Sequence, residues 1–224
     1  MILLLFGPPG CGKGTQAEFL AERFHIPAIS TGEMIRAECK AGTPLGRMAC
    51  SIVSNGGLVG DETVNEIVAS RIARPDCAGG FLLDGYPRTV SQAIYLSDLL
   101  RRRGLPEPVV IHLAVPDRSV VERLTSRRQC PQCKHIYNLI TQPPRQDGIC
   151  DHDGSALITR DDDTEGVIRR RLQAYDELTG PILKWYGPKV VRSVNGALEP
   201  EAVSHAVALV VETAAKCDCV TCPA

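Results

Sequence analysis

With 224 residues the chain is long enough for one domain with insertions or two small domains. Hydrophobic residues make up 44% and charged residues 23%, and the formal net charge of -1 argues against electrostatic attraction to nucleic acid or an anionic membrane as a main function. No apolar run reaches membrane-spanning length, and residues 1–6 are too short, with no basic segment before them, to read as a secretion signal, so a cytoplasmic protein is expected.

Residues 2–6 predict a buried strand. The strand runs straight into Gly7-Pro8-Pro9-Gly10-Cys11-Gly12-Lys13-Gly14-Thr15, and residues 15–24 then place Phe19, Leu20 and Phe24 near one helical face. Glycines let successive backbone N–H groups turn inward on a phosphate; the helix N-terminus adds partial positive charge and Lys13 a full one. Gly14 stands where the usual phosphate-loop pattern has Ser or Thr, and the hydroxyl comes one place later at Thr15. That shift leaves phosphate binding intact but weakens the case for direct Mg²⁺ ligation by Thr15. Cys11 sits in this loop beside a helix N-terminus, a place that can depress a thiol pKa; the plainer reading is a small residue filling a small space.

Further strands are expected at 27–30, 81–84, 109–115 and 189–194, with helices at 118–128 (Val121 and Leu124 inward) and 200–216 (Val203, Ala206, Val207 and Val210 inward). Such alternation predicts a parallel sheet covered by helices on both faces, with ligands outside the carboxyl ends of the strands. Two segments break the pattern. Residues 31–59 read as helices and turns without a strand, and residues 127–163 are polar and rich in Pro, Gly and Asp. Both read as excursions from one core. The triple Arg at 101–103 reads as a solvated helix end before Gly104.

Asp84 closes an apolar strand and is followed by Gly85-Tyr86-Pro87-Arg88. A carboxylate there can orient Mg²⁺ waters near the loop phosphates, and a guanidinium can grip a phosphate with its planar fork. Only six of the 25 basic residues are Lys, so a lone Arg is weak evidence and its motif decides.

Cys130-Pro-Gln-Cys133 is followed after sixteen residues by Cys150-Asp-His-Asp153. Paired knuckles at this spacing fit a structural Zn²⁺ site with three thiolates and one carboxylate, Asp153 standing where the second knuckle has Cys. His152, one residue off register, is the rival fourth ligand. A segment with so few apolar residues needs a metal in place of a core. Cys39, Cys50 and Cys77 read as packing residues, as do Trp185 and Tyr186. Cys217, Cys219 and Cys222 suggest a metal or redox tail, a frayed terminus being commoner.

Taken together, GPPGCGKGTQA, ISTGEMIR, GGLV, FLLDGYPRT followed by Gln92, and TRDDD leading to RRRL resemble the adenylate kinases in order and spacing, in their long-lid form. The resemblance spans almost the whole chain. It implies a P-loop nucleoside monophosphate kinase fold, a five-stranded parallel sheet flanked by helices. It places the core at 1–29, 60–125 and 164–224, an AMP-binding domain at 30–59 and a zinc-ribbon lid at 126–163, the last two mobile. Some long-lid members carry the same three-Cys, one-Asp set.

By the same resemblance, Gly10, Cys11, Gly12, Lys13, Gly14 and Thr15 hold the ATP phosphates. Arg123, Arg127, Ile136, Tyr137 and the backbone near Leu198 complete the ATP site. Thr31, Arg36, the backbone of Gly57, Leu58 and Val59, then Gly85, Tyr86, Pro87, Arg88 and Gln92 hold AMP. Arg160 and Arg171 span the reacting phosphates, and Asp84 serves the Mg²⁺ that accompanies ATP. Gly57 stands where the family often has Lys, and Arg169 and Arg170 flank Arg171, so a register slip there is the hazard. The implied reaction is ATP plus AMP to two ADP, in a monomer.

That chemistry accounts for the arginines. Two anionic nucleotides held end to end repel each other, and several cations in a water-poor site must offset that repulsion. The acceptor is a phosphate oxygen already ionised at neutral pH, so no general base is needed. The three carboxylates Asp161 to Asp163 suggest pairing with core cations, or simply a solvated acidic turn. Two rivals remain: a kinase for UMP, CMP or GMP, whose relatives have short lids and differ around Thr31, and a zinc-ribbon binding module using nucleotide as a switch. The Asp84, Arg88, Arg160 and Arg171 set speaks against the second.

Overall fold

A computed structural model describes residues 1–218. The elements run β1 (Ile2–Phe6), α1 (Lys13–Phe24), β2 (Ala28–Ser30), α2 (Thr31–Ala41), α3 (Pro44–Ser54), α4 (Asp61–Arg71), β3 (Phe81–Asp84), α5 (Val90–Arg102), β4 (Val109–Ala114) and α6 (Asp117–Thr125). They continue with β5 (Arg127–Gln129), β6 (Ile136–Asn138), α7 (Glu165–Ala174), a π-helical turn (Tyr175–Thr179), α8 (Gly180–Tyr186), β7 (Val191–Asn195) and α9 (Pro200–Asp218).

Five strands form one parallel sheet in the order β2-β3-β1-β4-β7. β1 is central, and all five of its side chains are buried because helices cover both faces. Its period-two alternation divides the core: Ile2, Leu4 and Phe6 join one apolar cluster, Leu3 and Leu5 the other. The expected strands fall within two residues of the observed ones. Helix 118–128 is shorter than expected, ending at Thr125, because Arg127 and Arg128 pair with Asn138 and Tyr137 to open a hairpin. The arginine run 101–103 is the exposed end of α5, with Gly104 following in the left-handed region.

Some helix starts are capped by side chains and others, α1, α4, α6, α7 and α8 among them, are not. Ser30, Thr43 and Thr89 side chains accept from backbone N–H groups three residues on, capping α2, α3 and α5. α1 begins on Gly12 at φ 96° with no side-chain cap, so its first-turn N–H groups lack that partner.

Both excursions leave the carboxyl edge of the sheet. The first is the α2–α3 pair. The second, β5–β6 and the loops to Asp163, has an apolar cluster of just Cys130, Tyr137 and Cys150 with Leu157 against them. Its two stems are joined by the Gln129–Ile158 bridge and by a forked ion pair, Arg127 to Asp163, at 2.6 and 2.8 Å. Cys77 is buried and Cys39 packs on the main cluster; Tyr186 packs against Phe6 at 6.1 Å between ring centres, whereas Trp185 is 41% exposed. The side chains of Cys217, Cys219 and Cys222 lie outside the described residues. Among those described, no helix is long and apolar enough to cross a membrane.

Candidate functional site

A cleft of about 700 Å³ opens at the carboxyl ends of β1 and β3. One wall is the loop 7–14 and the first turn of α1. Gly10 sits at φ 75°, and a Cβ there would lie 2.7 Å from Leu124 Cγ, while Gly12 and Gly14 have open space where a side chain would be. The loop can therefore take a ligand against bare backbone. Lys13 Nζ donates to the carbonyls of Gly7 (2.7 Å) and Pro8 (2.9 Å), which anchors the ammonium over the loop. Gly10, Cys11, Gly12, Gly14 and Thr15 also line the cleft, as does Asp84 at the end of β3. Cys11 does not carry a depressed pKa. Burial pushes its thiol up and Lys13 offsets this only in part, so it is a packed small residue.

The facing wall is a cage of guanidinium groups. Arg36, Arg88, Arg127, Arg160 and Arg171 come from α2, the β3–α5 loop, β5, the end of the second excursion and α7, and all line the cleft. Three carboxylates hold four of them, Arg88 being tied instead to the Gly85 carbonyl. Glu33 accepts from Arg36 (2.5 Å) and Arg160 (3.0 Å), linking the two excursions. Asp162 meets Arg171 at 3.1 Å and Arg36 at 4.0 Å; Asp163 takes Arg127 and touches Arg171 at 3.4 Å. Burial alone would raise Glu33, but Arg36 and Arg160 hold it below its usual value; Arg171 and Arg36 do the same for Asp162. Burial, with Arg171 next to it, brings Arg88 down to about 10; burial, with Arg127 and Arg36, brings Arg160 down to about 10. Both stay cationic at neutral pH, in surroundings that favour an added anion.

The three consecutive carboxylates, expected as cation partners or a solvated turn, are divided by the fold: Asp162 and Asp163 are buried and paired, Asp161 is exposed. Glu33 is a site residue that the motifs do not single out; a Glu one turn before Arg36 is the available signal. Arg171 is the inward member of its run. Arg169 pairs with Glu165 on the surface at 2.7 Å, and Arg170 donates to the Asn55 carbonyl.

On the side of α2 and the β3–α5 loop, Gly85, Pro87, Arg88, Arg36 and Leu58 line the cleft, and Gly56 rather than Gly57 does so. Thr31, Val59, Tyr86 and Gln92 lie behind that surface. Thr31 donates to the Gly85 carbonyl at 2.9 Å, and the buried Tyr86 hydroxyl donates to Asn65 at 2.5 Å. Gln92 is 2% exposed; its Oε1 accepts from the Arg88 N–H at 2.7 Å and its Nε2 donates to Asp61 at 2.8 Å. Both ends of that amide are thus engaged with protein.

On the side of α6 and β6, Arg123, Ile136, Tyr137 and Leu198 also line the cleft. Arg123 donates to the Gly196 carbonyl at 2.8 Å, and Leu198 is 49% exposed. The Tyr137 hydroxyl is turned toward the cysteines: it accepts from the Asp151 N–H at 2.7 Å and lies 3.5 Å from Cys150 Sγ.

Cys130, Cys133, Cys150 and Asp153 bring one ligand atom each to within 4.8 Å of one another. Cys130 Sγ lies 3.2 Å from Asp153 Oδ2, and Cys133 Sγ 3.6 Å from Cys150 Sγ. The rival His152 is turned away and packs on His135 at 4.4 Å between ring centres. Three soft thiolates and one carboxylate, pre-gathered in a segment with almost no apolar core, suit a closed tetrahedral site.

A family model described as adenylate kinase matches residues 5–191. A curated relative from Trichlorobacter lovleyi named adenylate kinase is 50% identical over 191 residues, covering 85% of this chain and 89% of its own. Another of that name, from Pseudothermotoga lettingae, is 47% identical over 196 residues, covering 87% and 90%. A third from Oceanobacillus iheyensis is 46% identical over 213 residues, covering 95% and 99%.

Proposed function

The chain belongs to the adenylate kinase family, and we propose that it catalyses the reversible transfer of a phosphoryl group from ATP to AMP, yielding two ADP. The observation that carries this reading is the convergence of five guanidinium groups opposite an uncapped helix N-terminus. Glu33, Asp162 and Asp163 answer only part of that charge, and two polyphosphate ligands would answer the rest.

In this mechanism the loop amides of Gly10 to Thr15 and the Lys13 ammonium bind the donor phosphates. Arg36 and Arg88 hold the acceptor phosphate; among the described residues Arg36 Nε is a buried donor without a partner, which an acceptor oxygen would supply. Arg127, Arg160 and Arg171 face the transferring group, where negative charge spreads in the transition state. Asp84 and Thr15 both line the cleft beside the loop, and their oxygens would suit Mg²⁺ or its waters, which when bound would neutralise charge on the donor phosphates. The acceptor oxygen is already ionised, so positioning and charge stabilisation carry the rate.

Segments 30–59 and 126–163 would move as covers over acceptor and donor and keep water out. Glu33 to Arg160 supports a joint closure. Zn²⁺ on Cys130, Cys133, Cys150 and Asp153 would be structural, since four protein ligands leave no open position. The reading also takes the enzyme as a cytoplasmic monomer, which sedimentation and fractionation test.

The decisive experiment is a coupled ADP-formation assay across AMP, CMP, UMP and GMP, with and without Mg²⁺. AMP should be preferred, and Mg²⁺ required. Lys13→Ala and Arg88→Ala should each lower turnover by orders of magnitude with an unchanged melting temperature. Near-normal turnover in either variant would count against the assignment, and a preference for UMP, CMP or GMP would move it to a neighbouring kinase class.

A further inference from the structure

Arg88 and Arg171 are like charges on different elements, and burial with Arg171 nearby lowers the Arg88 pKa. Left to themselves two such side chains splay apart, so something must fix the backbone that carries them. The Arg88 guanidinium is tied at Nε to the Gly85 carbonyl (2.8 Å), and its peptide N–H is tied to Gln92 Oε1 (2.7 Å). Gln92 is oriented in turn by Asp61, which also accepts from Thr89 at 2.7 Å.

The other side of the Arg88 peptide is held from a distance of 91 residues. The hydroxyl of Thr179, a residue 7% exposed, donates to the Arg88 carbonyl at 3.0 Å. Thr179 ends the π-helical turn 175–179, which continues α7 and therefore the backbone of Arg171. At the start of that turn the Tyr175 hydroxyl meets His112 Nε2 on β4 at 3.2 Å, pinning it to the central sheet. The wider π turn adds a residue to the helix and re-aims the chain beyond it, as such turns do beside functional sites. Here it brings a Thr hydroxyl to a peptide that supports a phosphate-binding Arg.

We propose that Thr179 is a positioning residue that locks the Arg88 peptide to the backbone carrying Arg171, so that both guanidinium groups meet the reacting phosphates as one rigid clamp. The inference deepens the kinase reading and rests on it. Misplacement of a catalytic group by a fraction of an ångström to about 1 Å costs about ten- to a hundredfold in rate.

Thr179→Val removes the hydroxyl at constant volume, and Thr179→Ser restores it. The expected result is a fall in kcat of about tenfold or more for Thr179→Val, with KM for ATP unchanged and Thr179→Ser within about twofold of wild type. In an Arg88→Lys background, Thr179→Val should add less than about a twofold further loss, because the group it positions is already gone. Losses that multiply in the double variant, or an unchanged kcat with only a lower melting temperature, would overturn the proposal. If Arg88→Lys is too slow to measure, the Val–Ser contrast in kcat decides alone. Failure of the kinase reading looks different: wild-type protein forms no ADP, or Arg88→Lys turns over like wild type.

Discussion

Asp163→Asn is the sharpest test of how the second excursion is held. The Asp163 side chain is 0% exposed and its Arg127 partner 13%, with both carboxylate oxygens engaged at 2.6 and 2.8 Å. Arg171 sits 3.4 Å from the same carboxylate. Asn keeps the shape but removes the charge, leaving two guanidinium groups to share what remains. Removing one partner of a buried pair costs about 3–5 kcal/mol, because the other charge stays behind uncompensated. At about 2–4 °C per kcal/mol for a chain of this size, the melting temperature should fall by roughly 6–20 °C. Scanning calorimetry at neutral pH reads this directly, including a separate early transition if the excursion melts as its own unit. A bisubstrate analogue joining two adenosines through five phosphates brings its own negative charge to the freed arginines. It should therefore raise the melting temperature of Asp163→Asn more than that of wild type. A variant melting within about 2 °C of wild type without ligand, well below the cost of breaking a buried pair, would refute the reasoning.

Two further outcomes are expected. Metal analysis should find zinc in wild-type protein and in His152→Ala but not in Asp153→Ala, and chelation should lower the melting temperature more than the initial rate; zinc loss in His152→Ala would instead make His152 the fourth ligand. Because Asp162 is held below its usual value near 3.8, the stability it contributes is fully present above that value and is lost as pH falls through the lower folded one. The gap in melting temperature between wild type and Asp162→Asn should thus be open at pH 6 and close progressively below about pH 4; a gap that persists unchanged at pH 2 would contradict the ion-pair account.

Much of this protein is written locally. The apolar run of β1, the glycines after it and the spacing of Cys130, Cys133, Cys150 and Asp153 involve residues close in the chain, so sequence alone pointed to a buried first strand, a glycine loop leading into a helix and a gathered Cys/Asp cluster. Tertiary packing decided the rest, because a side chain's orientation and charge state depend on which distant elements press against it. The fold buried Cys11 and so raised its thiol, deciding for the packing role over the lowered pKa that a helix-terminal place allows. It also turned both ends of Gln92 onto protein, selected Arg171 from three adjacent arginines, divided one acidic run into two buried partners and one exposed residue, and set Thr179 against Arg88 across 91 residues. No periodicity or motif encodes such pairings: they arise where separate elements meet at one edge of the sheet and must satisfy each other's buried charge.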